Sequence, residues 1–317
     1  MKTLTGIIGT LCSVVLLAAC EESPTEPPKP EMAWVYEGQW GTIGSGNGEF
    51  EGPSGVAVNP EGNVYVTDEN NHRIQYFTSA GSFLGKWGSR GTGNGQFLFP
   101  AAVEAASSGN VFVADTFNDR IQYFTSSGSF LGKWGSSGTG EGQFMFPYGV
   151  AVAANGNVYV SDAYNNRVQY FTSTGSFLGK WGSEGSGNGQ FGTPYGLDVA
   201  PNGNVYVTDF HNARVQFFTP QGSFLGKWGS SGSGDGQFDD PQDVAVAPDG
   251  TVFVTDADNC RVQYFKPNGS FLGKWGKNGT GNGEFNSPYG VDMSPDGKRV
   301  YVADDLNNRV QYFKKRD

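Results

Sequence analysis

A unit of 47 residues recurs about six times along this chain, and so long a period constrains the architecture before any single residue is read. Trp-Gly pairs mark it, with Trp40, Trp87, Trp134, Trp181, Trp228 and Trp275 at equal steps. A second marker, Asp-x-x-Asn-x-Arg, begins at Asp68, Asp115, Asp162, Asp209, Asp256 and Asp304, with one extra residue (Lys298 or Arg299) ahead of the last. Units of this size bury their apolar faces by stacking on their neighbours. At 317 residues the unbroken repeat therefore points to one closed array rather than two ordinary domains.

Within one unit, read from Pro147, four short β-type runs fall at residues 149–152, 157–162, 167–171 and 176–182, separated by turns such as Ala-Asn-Gly and Thr-Gly-Ser. No helical period appears. The 49 glycines would indicate low complexity if scattered, but nearly all recur at fixed places beside aromatic and β-branched residues, where they punctuate turns. Four antiparallel strands per unit predict an all-β propeller of six blades. First strands begin at Gly55, Ala102, Gly149, Gly196, Asp243 and Gly290, yet the last copy stops near Phe313 without a fourth strand. Residues 34–41 read as a fourth strand lacking its preceding three, so they are expected to complete the last blade and close the ring.

The run Tyr65-Val66-Thr67-Asp68 through Asn71-His72-Arg73-Ile74-Gln75-Tyr76-Phe77, with its five counterparts, resembles the NHL repeat over about residues 34–314. That resemblance implies a six-bladed propeller. WD40 and kelch patterns do not fit, for lack of a Trp-Asp dipeptide and of a Gly-Gly pair. Only the first unit keeps the Asn-His pair, which argues against a shared chemical role for the histidine.

The amino-terminal segment predicts export and anchoring. Lys2 precedes an apolar stretch over about residues 4–19, too short for a membrane span but the size of a signal-peptide core. It ends in Leu17-Ala18-Ala19-Cys20, which resembles a bacterial lipobox and implies cleavage before a lipidated Cys20. Residues 1–19 are thus expected to be a lipoprotein signal, 20–33 a Pro-rich tether and 34–317 the propeller. Two acyl chains suffice for stable residence in the cell envelope, in either the inner or the outer membrane. Cys260 is left without an intramolecular disulfide partner. The formal charge of −10 argues against a nucleic-acid surface.

The repeat also shows which positions vary. The face carrying first-to-second and third-to-fourth turns is nearly uniform, whereas two sets of positions on the opposite face differ from unit to unit. The position after each repeated Pro reads Ser54, Ala101, Tyr148, Tyr195, Gln242 and Tyr289. The two after each repeated Asp read Glu69-Asn70, Thr116-Phe117, Ala163-Tyr164, Phe210-His211, Ala257-Asp258 and Asp305-Leu306. Tyr148, Tyr195, Tyr289, Gln242, Phe117, Tyr164, Phe210, His211 and Asp258 are the candidate ligand-binding residues, because rigid aromatics mixed with polar groups suit recognition of a protein or glycan. The repeated Asp and Arg read as scaffold, since six identical copies cannot all be one active site. His72 and His211 are expected to be exposed loop residues.

The third position of each first strand reads Ala57, Glu104, Ala151, Asp198, Ala245 and Asp292. Three carboxylates facing the axis would hold a hard cation such as Ca2+ through oxygen ligands, or else sit in a hydrated channel between blades. The leading expectation is a monomeric, membrane-tethered binding module without a resident cofactor. The alternative, implied by six-bladed propeller enzymes such as lactonases and the peptidylglycine amidating lyase, is a metal-dependent hydrolase or lyase using Glu104, Asp198, Asp292, His211 and Asp243.

Overall fold

The computed structural model describes residues 34–316, and the expected signal peptide, Cys20 and tether lie outside them. Six four-stranded antiparallel sheets follow one another around a ring. In the third blade they are Pro147–Val152, Val158–Asp162, Arg167–Phe171 and Phe177–Trp181, hydrogen-bonded in that order. Burial explains the strand types. The Val- and aromatic-rich second strand is buried along its whole length, as a strand packed on both faces must be. The outermost strand alternates, with Phe177 and Trp181 turned inward while Leu178 and Lys180 face solvent. In blades 1 to 5 a lysine on this edge protects its unpaired backbone against a second chain, and blade 6 has Gln39 in that place. Gly179 admits the Tyr170 ring of the neighbouring strand, which any Cβ there would strike.

The repeated polar residues tie each Gly-rich linker to its blade. In blade 1, the Asp68 carboxylate accepts the Glu51 N–H, the Asn71 amide, Arg73 Nε at 2.6 Å and the Gln75 amide. Arg73 spends its other donors on the carbonyls of Ser45, Gly46 and Glu49. Every member of this buried network is satisfied, which is the condition under which buried charge is tolerated. The same pairing recurs at Asp115, Asp162, Asp209, Asp256 and Asp304, so the scaffold reading of Asp and Arg holds. Each linker then drives a phenylalanine (Phe50, Phe97, Phe144, Phe191, Phe238, Phe285) to full burial against the blade.

Hydrophobic burial lies between blades rather than within them. Ala106, Phe112, Ala114 and Ile121 of blade 2 pack on Val150, Val158, Val160 and Phe171 of blade 3, and the other junctions repeat the arrangement. The last junction is equivalent: Tyr301 and Val310 of blade 6 pack on Val56, Val64 and Phe77 of blade 1. Closure comes from the amino-terminal strand Trp34–Trp40, antiparallel to Arg309–Lys315 with Trp40 opposite Val310. A forked pair from Arg299 to Glu37, at 2.6 and 2.9 Å, fastens this strand to blade 6.

After the second strand, Thr116–Asn118, Ala163–Asn165, Phe210–Asn212 and Asp305–Asn307 each form a single 3-10 turn. The residue ending each such corner is left-handed: His72, Asp119, Asn166, Ala213, Cys260 and Asn308 have φ between 48° and 54°. Four of them also fasten the next blade, with His72 Nδ1, Asp119 Oδ1, Asn166 Oδ1 and Asn308 Oδ1 accepting the N–H of Phe99, Phe146, Thr193 and Gly52. His72 is therefore not the exposed histidine expected. It is 8% exposed, held by the Phe99 backbone and ring, whereas His211 is exposed.

Candidate functional site

The first strands surround the axis, and each starts with a proline followed by a variable side chain at the channel mouth. A β-bulge between Pro147 and Val150 turns Tyr148 out of the regular ladder. Hydroxyl groups of the preceding blade hold the carbonyls of these positions: Ser161 donates to Tyr195, Thr208 to Gln242 at 3.0 Å and Thr255 to Tyr289 at 2.5 Å. Adjacent backbones approach so closely that a Cβ on Gly149 would strike the Tyr195 carbonyl. The mouth is thus a rigid rim carrying variable side chains.

The structure gathers the sequence-predicted residues into two connected groups. Tyr148 stacks on Tyr195 with ring centroids 4.2 Å apart, and Tyr195 contacts Phe210, which abuts His211. Further out, Phe117 lies between Phe99 and Phe146, and Phe146 reaches Tyr164 at 4.8 Å. Phe117 and Tyr164 are more than half exposed. Apart from Tyr289 on the first strand of blade 6, the aromatics therefore occupy blades 2 to 4, while Glu69, Asp239, Asp240, Asp258 and Asp305 occupy the remaining arc. Asp258 is exposed and, with Asp239, acts with burial to push Asp240 up to about 6. Gln242 is the exception among the predicted contacts: it is only 3% exposed, sunk below the rim beside Tyr148 and Tyr289.

Sequence reasoning missed Phe99 and Phe146. They stand just before the repeated prolines, in the left-handed region at φ 49° and 54°. A bulky residue there is an outlier. The signal was present, because that position reads Gly52, Phe99, Phe146, Thr193, Asp240 and Ser287: one glycine where the backbone wants it and four kinds of side chain at the other five.

Below the mouth, Glu104, Asp198 and Asp292 do line the channel, joined by Asp243, but they do not converge as ligands. Each reaches sideways to the next blade. Asp198 accepts the Val199 and Val246 N–H groups, both at 2.6 Å, and Asp292 those of Met293 and Val58. Asp243 holds Val244 and Val291, and Glu104 holds Ala105 and Val152. Among the described residues no group of three or more His, Cys, Asp and Glu side chains has the arrangement of a metal site. Oxygens already engaged by backbone donors do not fit the Ca2+ expectation. Of the two sequence readings, the one placing these groups between blades matches the geometry. Burial dominates their acidity, raising Asp198 to about 6 and Asp243 to about 7, while Glu104 and Asp292, which also feel neighbouring carboxylates, rise well above their ordinary values.

Residues 50–77, 144–171, 191–218 and 238–265 match the NHL repeat. Four of the six blades of this propeller are NHL repeats. Each matched segment runs from the buried linker phenylalanine through the third strand, so it contains the Asp, Asn, Arg and Gln side chains of the polar network, while the linker carbonyls they hold lie just before it. The units outside these segments are irregular, with Ala102 and Glu104 in one and an extra residue before Asp304 in the other.

Over 60 residues the chain is 42% identical to the B-box type zinc finger protein ncl-1 of Caenorhabditis elegans and 43% identical to Protein brain tumor of Drosophila melanogaster, matches covering 19% and 18% of this chain. They span only 7% and 6% of those curated relatives. Among solved structures, a protein of unknown function from Bacteroides thetaiotaomicron superposes with a TM-score of 0.68 at 14% identity, covering 89% of this chain and 76% of its own. A streptogramin B lyase gives 0.61 at 13% identity over 89% and 98% of the two chains. A gluconolactonase from Xanthomonas campestris gives 0.63 at 12% identity over 84% and 87%. At such identities the likeness is one of fold.

Proposed function

We propose that this NHL propeller is a binding module of the bacterial cell envelope, tethered through a lipidated Cys20 and presenting its variable face to an extracytoplasmic protein or glycan. The observation that carries the reading is the concentration of two aromatic groups on blades 2 to 4 of that face, opposite a mainly acidic arc, on an otherwise uniform ring. Aromatic surface held rigid by the scaffold loses little rotamer freedom on binding, which favours it as a recognition anchor.

The hydrolase or lyase alternative has less support, because the channel carboxylates are occupied by backbone amides. Affinity capture from envelope extract tests the binding reading, comparing the natural chain with Tyr148→Ala/Tyr195→Ala/Tyr289→Ala. Loss of the same partner with an unchanged melting temperature is expected. Undiminished capture by the variant would exclude the mouth as the recognition site.

A further inference from the structure

The channel mouth has an unusual chemical balance. A small cavity of about 30 Å³ is lined by Ser54, Ala101, Tyr148, Gln242, Asp243 and Tyr289, with glycines between them. Gln242 is 3% exposed, and among the described residues its side-chain oxygen has no hydrogen-bond donor. A buried acceptor left unpaired is destabilising, so its presence at a cavity wall asks for a donor from outside the chain. The polar groups around it are also acceptors or can act as such. Glu69 of blade 1 and Asp305 of blade 6 stand close enough to act on each other and on the Tyr148 and Tyr289 hydroxyls. Burial, with Asp305 nearby, pushes Glu69 up to about 7, and burial raises Asp305 to about 6, so both carboxyls are poorly compensated and an arriving cation favours their charged forms. None of the residues lining the cavity is Lys, Arg or His.

Size narrows the occupant. Roughly 10–15 Å³ of such volume holds one water, so the cavity takes a group of one or two heavy atoms and not a sugar ring. Tyrosine faces beside carboxylates are the surroundings in which an ammonium is favoured.

We propose that the mouth captures the ammonium tip of a lysine side chain, with Gln242 accepting one of its N–H donors, Glu69 and Asp305 supplying the countercharge, and Tyr148 and Tyr289 forming the walls. This rests on the binding-face reading and specifies its partner chemistry. Calorimetric titration of the full chain in about 0.15 M salt, where long-range attraction is screened, tests it with the peptide Gly-Gly-Lys-Gly-Gly, its norleucine counterpart and n-butylamine. The lysine peptide is expected to bind and the norleucine peptide not. Glu69→Gln and Gln242→Leu should each weaken the lysine peptide at least about tenfold without lowering the melting temperature, whereas Glu61→Gln on the tight-turn face should leave peptide binding unchanged.

Equal binding of the norleucine peptide, no binding of either peptide, or equal weakening by Glu61→Gln overturns the proposal. Butylamine binding as tightly as the peptide overturns the assignment to a partner side chain; a tighter peptide supports it. Should the triple tyrosine variant lose the native partner while Glu69→Gln and Gln242→Leu retain it, the face binds by other means and only the lysine assignment falls.

Discussion

Phe99 and Phe146 are held in a backbone conformation that costs an ordinary residue about 1–2 kcal/mol, and blade 1 shows the relaxed solution with Gly52 at the same position. The scaffold tolerates glycine there, so the aromatic side chains answer to something other than folding. Replacing Phe99 and Phe146 with Gly is expected to change stability by less than about 1 kcal/mol each, because relief of strain offsets the added freedom of the unfolded chain. Partner capture by the same variants should fall. A large loss of stability with capture retained would make these residues structural. Tyr148, Tyr195 and Tyr289 were legible in the sequence because they follow a proline that recurs at the repeat period. Phe99 and Phe146 were harder to see, since a left-handed dihedral angle leaves no mark on a non-glycine residue and only comparison with Gly52 at the same repeat position shows it. His72 was misread for a related reason: whether a corner side chain is exposed depends on whether the next blade's backbone reaches it.

At the scale of strands, the blade junctions show a division of labour that no single unit reveals. Junctions leaving blades 1 and 3 are fastened by His72 and Asn166 at the corner, those leaving blades 4 and 5 by Asp198 and Asp243 in the channel, and those leaving blades 2 and 6 by both kinds. Ala213 and Cys260, lacking a corner oxygen, stand where the channel carboxylates take over. The sequence made the acidic positions visible but not their direction, because the third residue of a first strand faces either the axis or the neighbour depending on the bulge after its proline.

These carboxylates make stability depend on pH with a definite sign. The folded ring raises Asp198 to about 6 and Asp243 to about 7, so it holds protons that the unfolded chain releases near pH 4. Their contribution is complete below about pH 4 and lost as pH rises through about 6 to 7. Chemical denaturation should show the ring more stable at pH 5 than at pH 8, by an amount on the order of 3 kcal/mol. In Asp198→Asn/Asp243→Asn that difference should shrink, and an identical slope in the variant would remove these groups as its source.

For the whole molecule, stability is distributed around a circle in which each blade buries its apolar surface only against neighbours. Six-fold repetition made this fold readable from the Trp-Gly and Asp-x-x-Asn-x-Arg spacings alone, and the missing last strand located the closure at residues 34–41. The four 3-10 turns escaped notice because three residues are too few to show a helical period. An open array of the same units would lose only its terminal repeat when an end strand is removed, since coupling there passes between nearest neighbours. A closed ring has no terminal repeat to sacrifice.

Deleting residues 34–40 and following amide hydrogen exchange in Val158–Asp162, across the ring from the junction, therefore addresses closure directly. Protection in that strand is predicted to fall together with protection in blade 6, whereas exchange unchanged in blade 3 and lost only around Arg309–Lys315 would contradict a ring held shut by its amino-terminal strand.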